Sequence, residues 1–143
     1  MCGIVGLVDP QLSSEELSKR VTQMGRTLKH RGPDSSGVYT TGTVGLGHTR
    51  LSIIDLSKAG HQPMLSDDQR YAMVYNGEIY NYRELRRKLV QTGVSFRGNS
   101  DSEVVLNAYR IWGIDALSML NGMFAFAIWA VSYTHLTLPT KRI

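Results

Sequence analysis

The chain has 143 residues, of which 42% are hydrophobic and 20% charged, values typical of one soluble globular domain. No apolar run approaches the roughly 18 residues of a membrane span, no signal peptide is visible, and the net charge of +4 is scattered along the chain. We therefore expect no partnership with a membrane or with nucleic acid. The single cysteine, Cys2, cannot form an internal disulfide, which is typical of the reducing cytoplasm.

The first third of the chain predicts a strand, a helix and a strand pair. Residues 2–8, CGIVGLV, are apolar and rich in β-branched side chains, which favours a buried strand. The S-x-x-E pattern from Ser13 to Glu16 is a capping box, and apolar residues at helical spacing predict a helix from Ser14 to about Lys29. After a loop rich in turn formers, GVYTT and VGLGHTRLSII predict two strands separated by Gly42.

The remaining chain predicts further strands and helices after a polar loop. First come a strand over 70–77 that ends in an Asn-Gly turn, a helix from Asn81 to about Gly93, and a short strand over 94–98. A second S-x-x-E pattern, from Ser100 to Glu103, then begins a helix that runs to about 112. A short helix near 115–120 and a buried strand over 123–129 follow. Strands adjacent in sequence favour antiparallel pairing, so we expect an α+β fold with helices covering stacked sheets.

Cys2 has two interpretations. Removal of Met1 would leave Cys2 with a free α-amino group, whose reference pKa of about 7.7–8.0 lies just below the thiol value of about 8.5. The amine would then accept the thiol proton, and one residue would supply both the nucleophile and its base. The alternative is a small apolar residue at the start of a strand.

Three other positions each suit a chemical role, and each also has a purely structural interpretation. The side chain of Asn76 and the backbone N–H of Gly77 are two neutral donors suited to an oxyanion, but Asn-Gly is also typical of a hairpin turn. Arg50 in a strand is suited to binding a carboxylate, or else it faces water from an edge strand. Asp101 is suited to a substrate ammonium, or else it complements a helix dipole.

Neither a metal site nor a phosphate loop is predicted. Cys2, His30, His48 and His61 lack the paired spacing of zinc ligands. The glycine-rich GTVGLG segment does not match G-x-G-x-x-G.

Six segments together resemble a known family. They are MCGIVG, HRGPDSSG, GLGHTRLSIIDLSKAGHQPM, VYNGEIYNYRELR, SDSEVVLNAYRIWG and NGMFAFAIW. In this order they are similar to the N-terminal glutaminase domain of asparagine synthetase B-type enzymes, a class II glutamine amidotransferase of the Ntn (N-terminal nucleophile) hydrolase type. The resemblance extends from Met1 to about Trp129. CGIVG alone is shared with glucosamine-6-phosphate synthase and amidophosphoribosyltransferase, whereas RLSIIDLS followed by HQPM, together with YNGEIYN, is typical of the asparagine synthetase branch.

The resemblance implies a mechanism. Cys2 attacks the side-chain amide of L-glutamine with its α-amino group as general base, and a glutamyl thioester forms before water releases glutamate. Asn76 and Gly77 form the oxyanion hole. The substrate-binding residues implied are Arg50 for the α-carboxylate, Asp101 with Glu78 for the α-amino group, and Leu51, Ser52, Ile53 and Ile54 for the walls of the pocket.

The resemblance also implies a fold, cofactors and partners. The fold is a four-layer αββα sandwich of two antiparallel sheets, truncated at the C-terminus. The glutaminase half needs no metal or cofactor. Its ammonia passes to a synthetase domain in the same chain, which uses ATP and Mg to make asparagine from aspartate, and the parent is expected to form a homodimer.

The last residues depart from the family pattern. We expect residues 1–130 to be an incomplete glutamine amidotransferase domain. Residues 131–143 resemble translated sequencing-adapter DNA and are predicted to be a non-native tail. Two other functions remain as alternatives: a different class II amidotransferase, and a non-catalytic glutamine-binding or interaction module.

Overall fold

Three antiparallel strands form the first sheet of the computed structural model, which describes residues 1–53, 56–131 and 135–141. They are β1 (Gly3–Val8), β2 (Ser35–Thr41) and β3 (Val44–Arg50), in the order β1-β3-β2. The predicted strand over 44–54 is therefore too long. It ends at Arg50 because Leu51 turns its backbone N–H to the sulfur of Cys2, at 3.3 Å, instead of to a neighbouring strand.

One helix covers the outer face of this sheet. Helix α1 (Ser14–Arg26) begins at Ser13, which forms the predicted capping box with Glu16. It ends three residues before the predicted Lys29. Leu17 and Val21 are fully buried against the sheet. Their contact surface on β3 includes Gly45 and Gly47, where the missing side chains let the helix approach closely.

In the described residues, the second sheet has five strands. They are β4 (Met64–Leu65), β5 (Tyr71–Ile79), β6 (Gly122–Ala130), β7 (His135–Thr137) and β8 (Thr140–Lys141), in the order β4-β5-β6-β7, with β8 also pairing with β6. The predicted strand over 123–129 is confirmed, whereas β4 was hidden in a polar loop. The tail prediction for 131–143 is not tested by the pairing of β7 and β8, and it stays a prediction.

Helices cover the outer face of the second sheet. They are α2 (Tyr82–Gln91), α3 (Asp101–Trp112) and the short α4 (Ala116–Met119), all close to their predicted positions. The strand predicted over 94–98 is wrong. The backbone N–H groups of Arg97 and Gly98 instead donate to the buried carboxylate of Glu103, at 2.7 and 2.9 Å, so this segment forms an irregular connection. Within the described ranges, no helix has the length and apolarity that crossing a bilayer requires.

Two hydrophobic cores hold these layers together. The smaller core lies between the sheets and contains Val44, Leu46, Ala72, Val74, Ala127 and Trp129. The larger core lies between the second sheet and its helices and includes Met73, Tyr75, Ile79, Leu85, Leu106 and Phe126. The order of layers is therefore helix, sheet, sheet, helices, which confirms the predicted αββα architecture of two antiparallel sheets.

The Asn-Gly turn predicted at the end of the strand over 70–77 is wrong. Asn76 and Gly77 lie inside β5, opposite Ala125 and Phe124 of β6. Gly77 is not among the glycines with positive φ that a type I′ turn requires. A Cβ atom at Gly77 would lie 2.5 Å from the carbonyl oxygen of Met123, so the glycine serves close strand pairing.

Gly47 offers a test of the helix-on-sheet packing. A Cβ atom at this position would lie 2.6 Å from a methyl carbon of Val5 and 2.7 Å from one of Val21. Because β-branched side chains are stiff, we expect Gly47→Ala to lower the free energy of unfolding by about 1–3 kcal/mol. Gly25→Ala, in open space on α1, should raise it by about 0.5–1 kcal/mol. Urea unfolding followed by circular dichroism measures both, and equal effects would contradict the packing argument.

Candidate active site

The layer between the sheets changes from apolar to polar at one end. Successive side chains of a strand point to opposite faces, and Val44 and Leu46 of β3 belong to the inter-sheet core. Continuing the alternation places His48 and Arg50 on this same face. The layer therefore ends in two buried polar side chains, only 2% and 9% exposed.

Cys2 and Asn76 point into the same layer. Ile4 of β1 packs against the inter-sheet core, so alternation places Cys2 on that face. Gly3 pairs with Thr49, which sets Cys2 beside Arg50. Ala72 and Val74 of β5 likewise face the other sheet, and Asn76 follows them. Strand pairing and side-chain alternation thus bring the predicted nucleophile, Arg50 and Asn76 to one end of the sandwich.

The thiol of Cys2 contacts the predicted substrate pocket directly. Its sulfur accepts a hydrogen bond from the N–H of Leu51 at 3.3 Å and lies 3.5 Å from the carbonyl oxygen of Leu51. Arg31 holds the backbone carbonyl of Cys2 through its Nε at 3.2 Å. Met1 is 67% exposed, so its removal would free the α-amino group of Cys2 without loss of core packing.

Arg50 and Ser52 line a cleft, and Cys2 is not among its described lining residues. Arg50 lies on the central strand of its sheet and is 9% exposed, so the alternative of an edge arginine facing water is wrong. Its Nη1 donates to the carbonyl of Ser57 at 2.9 Å. The cleft has a volume of about 650 Å³, and its lining residues are Asp34, Ser35, Arg50, Ser52, Leu56, Ser57, Lys58 and His61. A cleft of this size accommodates a small ligand.

The predicted pocket segment is only partly described. Leu51 and Ser52 are half-buried, and Ser52 donates its N–H to the carboxylate of Asp34 at 2.8 Å. Ile53 is 71% exposed. Ile54 lies outside the described residues.

The N–H of Gly77 points away from β6. Tyr80, three residues on, donates its N–H to the carbonyl of Asn121 at 2.7 Å, on the β6 side. Because N–H directions alternate along a strand, the N–H groups of Tyr75, Gly77 and Ile79 point to the opposite edge. Gly77 thus has the donor direction that an oxyanion hole needs, next to the side chain of Asn76.

Asp101 lies behind this segment of β5, on the helix side. It is 6% exposed, and its Oδ2 accepts hydrogen bonds from the Tyr75 hydroxyl at 2.6 Å and from the N–H of Ile79 at 3.0 Å. Burial raises the pKa of Asp101. Burial first, and then the negative charge of Asp101, raise the pKa of Tyr75. Glu78, the other predicted ammonium ligand, is exposed.

The sequence analysis gave no role at this site to three polar residues: His48, Gln62 and Tyr75. Tyr75 receives contacts at its N–H from Gln62, at its carbonyl from His48, and at its hydroxyl from Asp101. Period-two alternation along β3 was a usable signal for His48, since it shares a face with Arg50. Gln62 lies in the HQPM end of a segment that carries the resemblance, but the sequence analysis gave its side chain no role. Within the described part of the chain, no three His, Cys, Asp or Glu side chains are grouped as metal ligands.

Solved structures share this architecture. Glutamine phosphoribosylpyrophosphate amidotransferase from B. subtilis, complexed with ADP and GMP, superposes with a TM-score of 0.71 at 20% identity, over 92% of this chain and 35% of that one. The structure of the allosteric regulatory enzyme of purine biosynthesis superposes with a TM-score of 0.74 at 20% identity, over 99% of this chain and 37% of that one. At 20% identity, these two likenesses show a shared fold.

The family follows from the sequence comparison. A family model described as a glutamine amidotransferase domain matches residues 1–143, and the chain belongs to that family. Among curated proteins, it is 45% identical over 131 residues to asparagine synthetase [glutamine-hydrolyzing] 1 of Bacillus subtilis. It is 40% identical over 129 residues to asparagine synthetase B of Escherichia coli. Both alignments cover 90% of this chain but only 21% and 23% of the relatives, so the chain spans about a fifth of their length.

His48 offers a test of the buried polar end of the layer. Burial lowers the pKa of His48 to about 4, and His61 and Arg50 act in the same direction. An unfolded histidine has a pKa of about 6.5. Between these values the unfolded chain binds more protons, so we expect stability to fall as pH drops from 6.5 towards 4, by up to about 3 kcal/mol. Nuclear magnetic resonance titration, with the His48 signals assigned by their absence in His48→Gln, should show a midpoint about 4. A midpoint near 6.5 would contradict the burial.

Proposed function

We propose that this domain hydrolyses L-glutamine to glutamate and ammonia with Cys2 as the nucleophile. The observation that carries the proposal is the position of Cys2 in a member of the glutamine amidotransferase family. Cys2 lies one residue before β1, and its sulfur contacts Leu51, the residue that follows Arg50. Once Met1 is removed, the α-amino group of Cys2 serves as the general base.

The reaction proceeds in two stages. In the first, the α-amino group takes the thiol proton and the sulfur attacks the side-chain amide carbon of glutamine. The side chain of Asn76 and the N–H of Gly77 stabilise the oxyanion that develops. The oxyanion then collapses, the carbon–nitrogen bond breaks, and the amine returns its proton to the departing ammonia. In the second stage, water attacks the glutamyl thioester and releases glutamate and the thiol.

Charge complementarity orients the substrate. The guanidinium of Arg50, held in the cleft by the carbonyl of Ser57, binds the α-carboxylate of glutamine. Asp101 and Glu78 bind its α-ammonium. Burial disfavours the ionised form of Asp101, and a bound ammonium offsets this effect by favouring that form. Leu51, Ser52, Ile53 and Ile54 are the proposed walls around the side chain of glutamine.

Substitution of Cys2 tests the nucleophile. Cys2→Ala removes the thiol, and we expect glutamate release from glutamine to fall at least about 10³-fold. The electrophilic glutamine analogue diazo-oxo-norleucine should form a stoichiometric adduct on Cys2 of the unsubstituted chain, located by mass spectrometry. Retained activity in Cys2→Ala would overturn the assignment of the nucleophile. Absence of an adduct would favour the non-catalytic binding module instead.

We further propose that the ammonia serves ATP-dependent asparagine synthesis from aspartate in a longer protein. The relatives at 40–45% identity are named as glutamine-hydrolysing asparagine synthetases, whereas the two solved structures of other enzymes are 20% identical. This difference favours asparagine synthesis over another class II amidotransferase reaction. The ATP and Mg would bind in a synthetase domain beyond this chain. A cytoplasmic location and a homodimer of the longer protein are part of the same proposal.

The identity of the acceptor is tested in the longer protein that carries this domain. We expect asparagine to form from aspartate and ATP with either glutamine or ammonium chloride as the nitrogen source. Cys2→Ala should lose the glutamine-dependent reaction and retain the ammonia-dependent one, because only the first uses the thiol. Chromatographic quantification of asparagine measures both. Glutamate release without any asparagine would indicate a different ammonia acceptor.

A further inference from the structure

We propose that His48 and Gln62 are positioning residues that hold the backbone of Tyr75 and thereby fix the oxyanion-binding segment Asn76–Gly77. This inference rests on the proposed glutaminase function. It concerns two residues that do not contact the reacting atoms in the proposed mechanism. They act on β5 one residue before the donors of the oxyanion hole.

Just before β4, the side chain of Gln62 forms a hydrogen bond with the backbone of β5. β4 begins at Met64, which pairs with Met73, and Gln62 lies two residues before it. There the Oε1 of Gln62 accepts the N–H of Tyr75 at 2.6 Å. The side-chain amide thus takes the place that a strand carbonyl would occupy. Gln62 is 5% exposed, so water does not offer an equivalent acceptor.

His48 reaches the same peptide unit from the other sheet. Its Nε2 lies 3.0 Å from the carbonyl oxygen of Tyr75. Because a carbonyl only accepts, Nε2 carries the hydrogen and donates. His48 lies on β3, two residues before Arg50 and on the same face. The bond therefore connects the strand that positions Arg50 and pairs with β1 to the strand that carries Asn76.

A third contact holds the other end of this segment. The N–H of Ile79 donates to Asp101 at 3.0 Å. The outer edge of β5 is thus held by side chains at Tyr75 and Ile79, and Gly77 lies midway between these points. An oxyanion hole works because its donors are fixed before charge develops. A misplacement of about 1 Å can lower a rate 10²-fold.

Substitutions of His48 separate positioning from general stability. His48→Leu removes the donor, and we expect kcat for glutamine hydrolysis to fall roughly 10- to 100-fold with KM changed less than about threefold. His48→Gln retains a side-chain N–H donor and should restore kcat to within about fivefold. Gln62→Met, which removes the acceptor at similar volume, should reproduce the kcat loss. Alkylation of Cys2 by iodoacetamide needs no oxyanion hole, so its rate should stay unchanged in all three variants.

Leu46→Ala is the matched control. Leu46 lies on the same strand and face as His48 and is 2% exposed, so truncation lowers stability without touching Tyr75. We expect its kcat to remain within about twofold at a temperature where the variant is folded. An unchanged kcat in His48→Leu, or an equal loss in His48→Gln and in Leu46→Ala, would overturn the positioning role. If the unsubstituted protein does not hydrolyse glutamine, the result would instead contradict the proposed function.

Discussion

The two-sided character of β3 is the constraint on which the rest of this structure depends. This central strand presents Gly45 and Gly47 to α1 on one face and Val44 and Leu46 to the second sheet on the other. Because side chains alternate strictly along a strand, a one-residue slip would exchange the two faces. The glycine face would then leave a void between the sheets, and the aliphatic side chains would push the helix away. One register therefore fixes both the outer layer and the inter-sheet core.

The same alternation places the polar residues of the candidate active site at the end of the inter-sheet core. After Leu46, the inter-sheet face of β3 continues with His48 and Arg50, which are buried among neighbouring strands. Burying polar groups is unfavourable unless they are hydrogen-bonded. The structure supplies partners from backbone carbonyls: Tyr75 for His48 and Ser57 for Arg50. These bonds tie β5 and the loop after β3 to one strand. The buried polar side chains at this end therefore fix the backbone segments around Cys2, and Arg50 also supplies a positive charge.

An unpaired strand edge provides the remaining element of the site. β4 is only two residues long, so β5 extends beyond it with N–H and carbonyl groups that no strand among the described residues pairs on that side. Such edges are normally a liability. Here the side chains of Gln62, His48 and Asp101 occupy the edge at Tyr75 and Ile79. The position between them is Gly77, whose backbone is approachable because it has no side chain.

Local patterns in the sequence determined the helices, most strands and the identities of the candidate residues. The capping box at Ser13 and the helical periodicity of α1 are short-range signals, and Cys2, Arg50 and Asp101 were recognisable as chemical groups. Only the tertiary structure decided that Asn76–Gly77 lies in a strand, because the pairing partner of β5 is over forty residues away in β6. The segment 94–98, predicted as a strand, is likewise an irregular connection, because the N–H groups of Arg97 and Gly98 donate to the carboxylate of Glu103. The contacts of Tyr75 with His48 and Gln62 also join residues far apart in the chain, which local propensity does not encode.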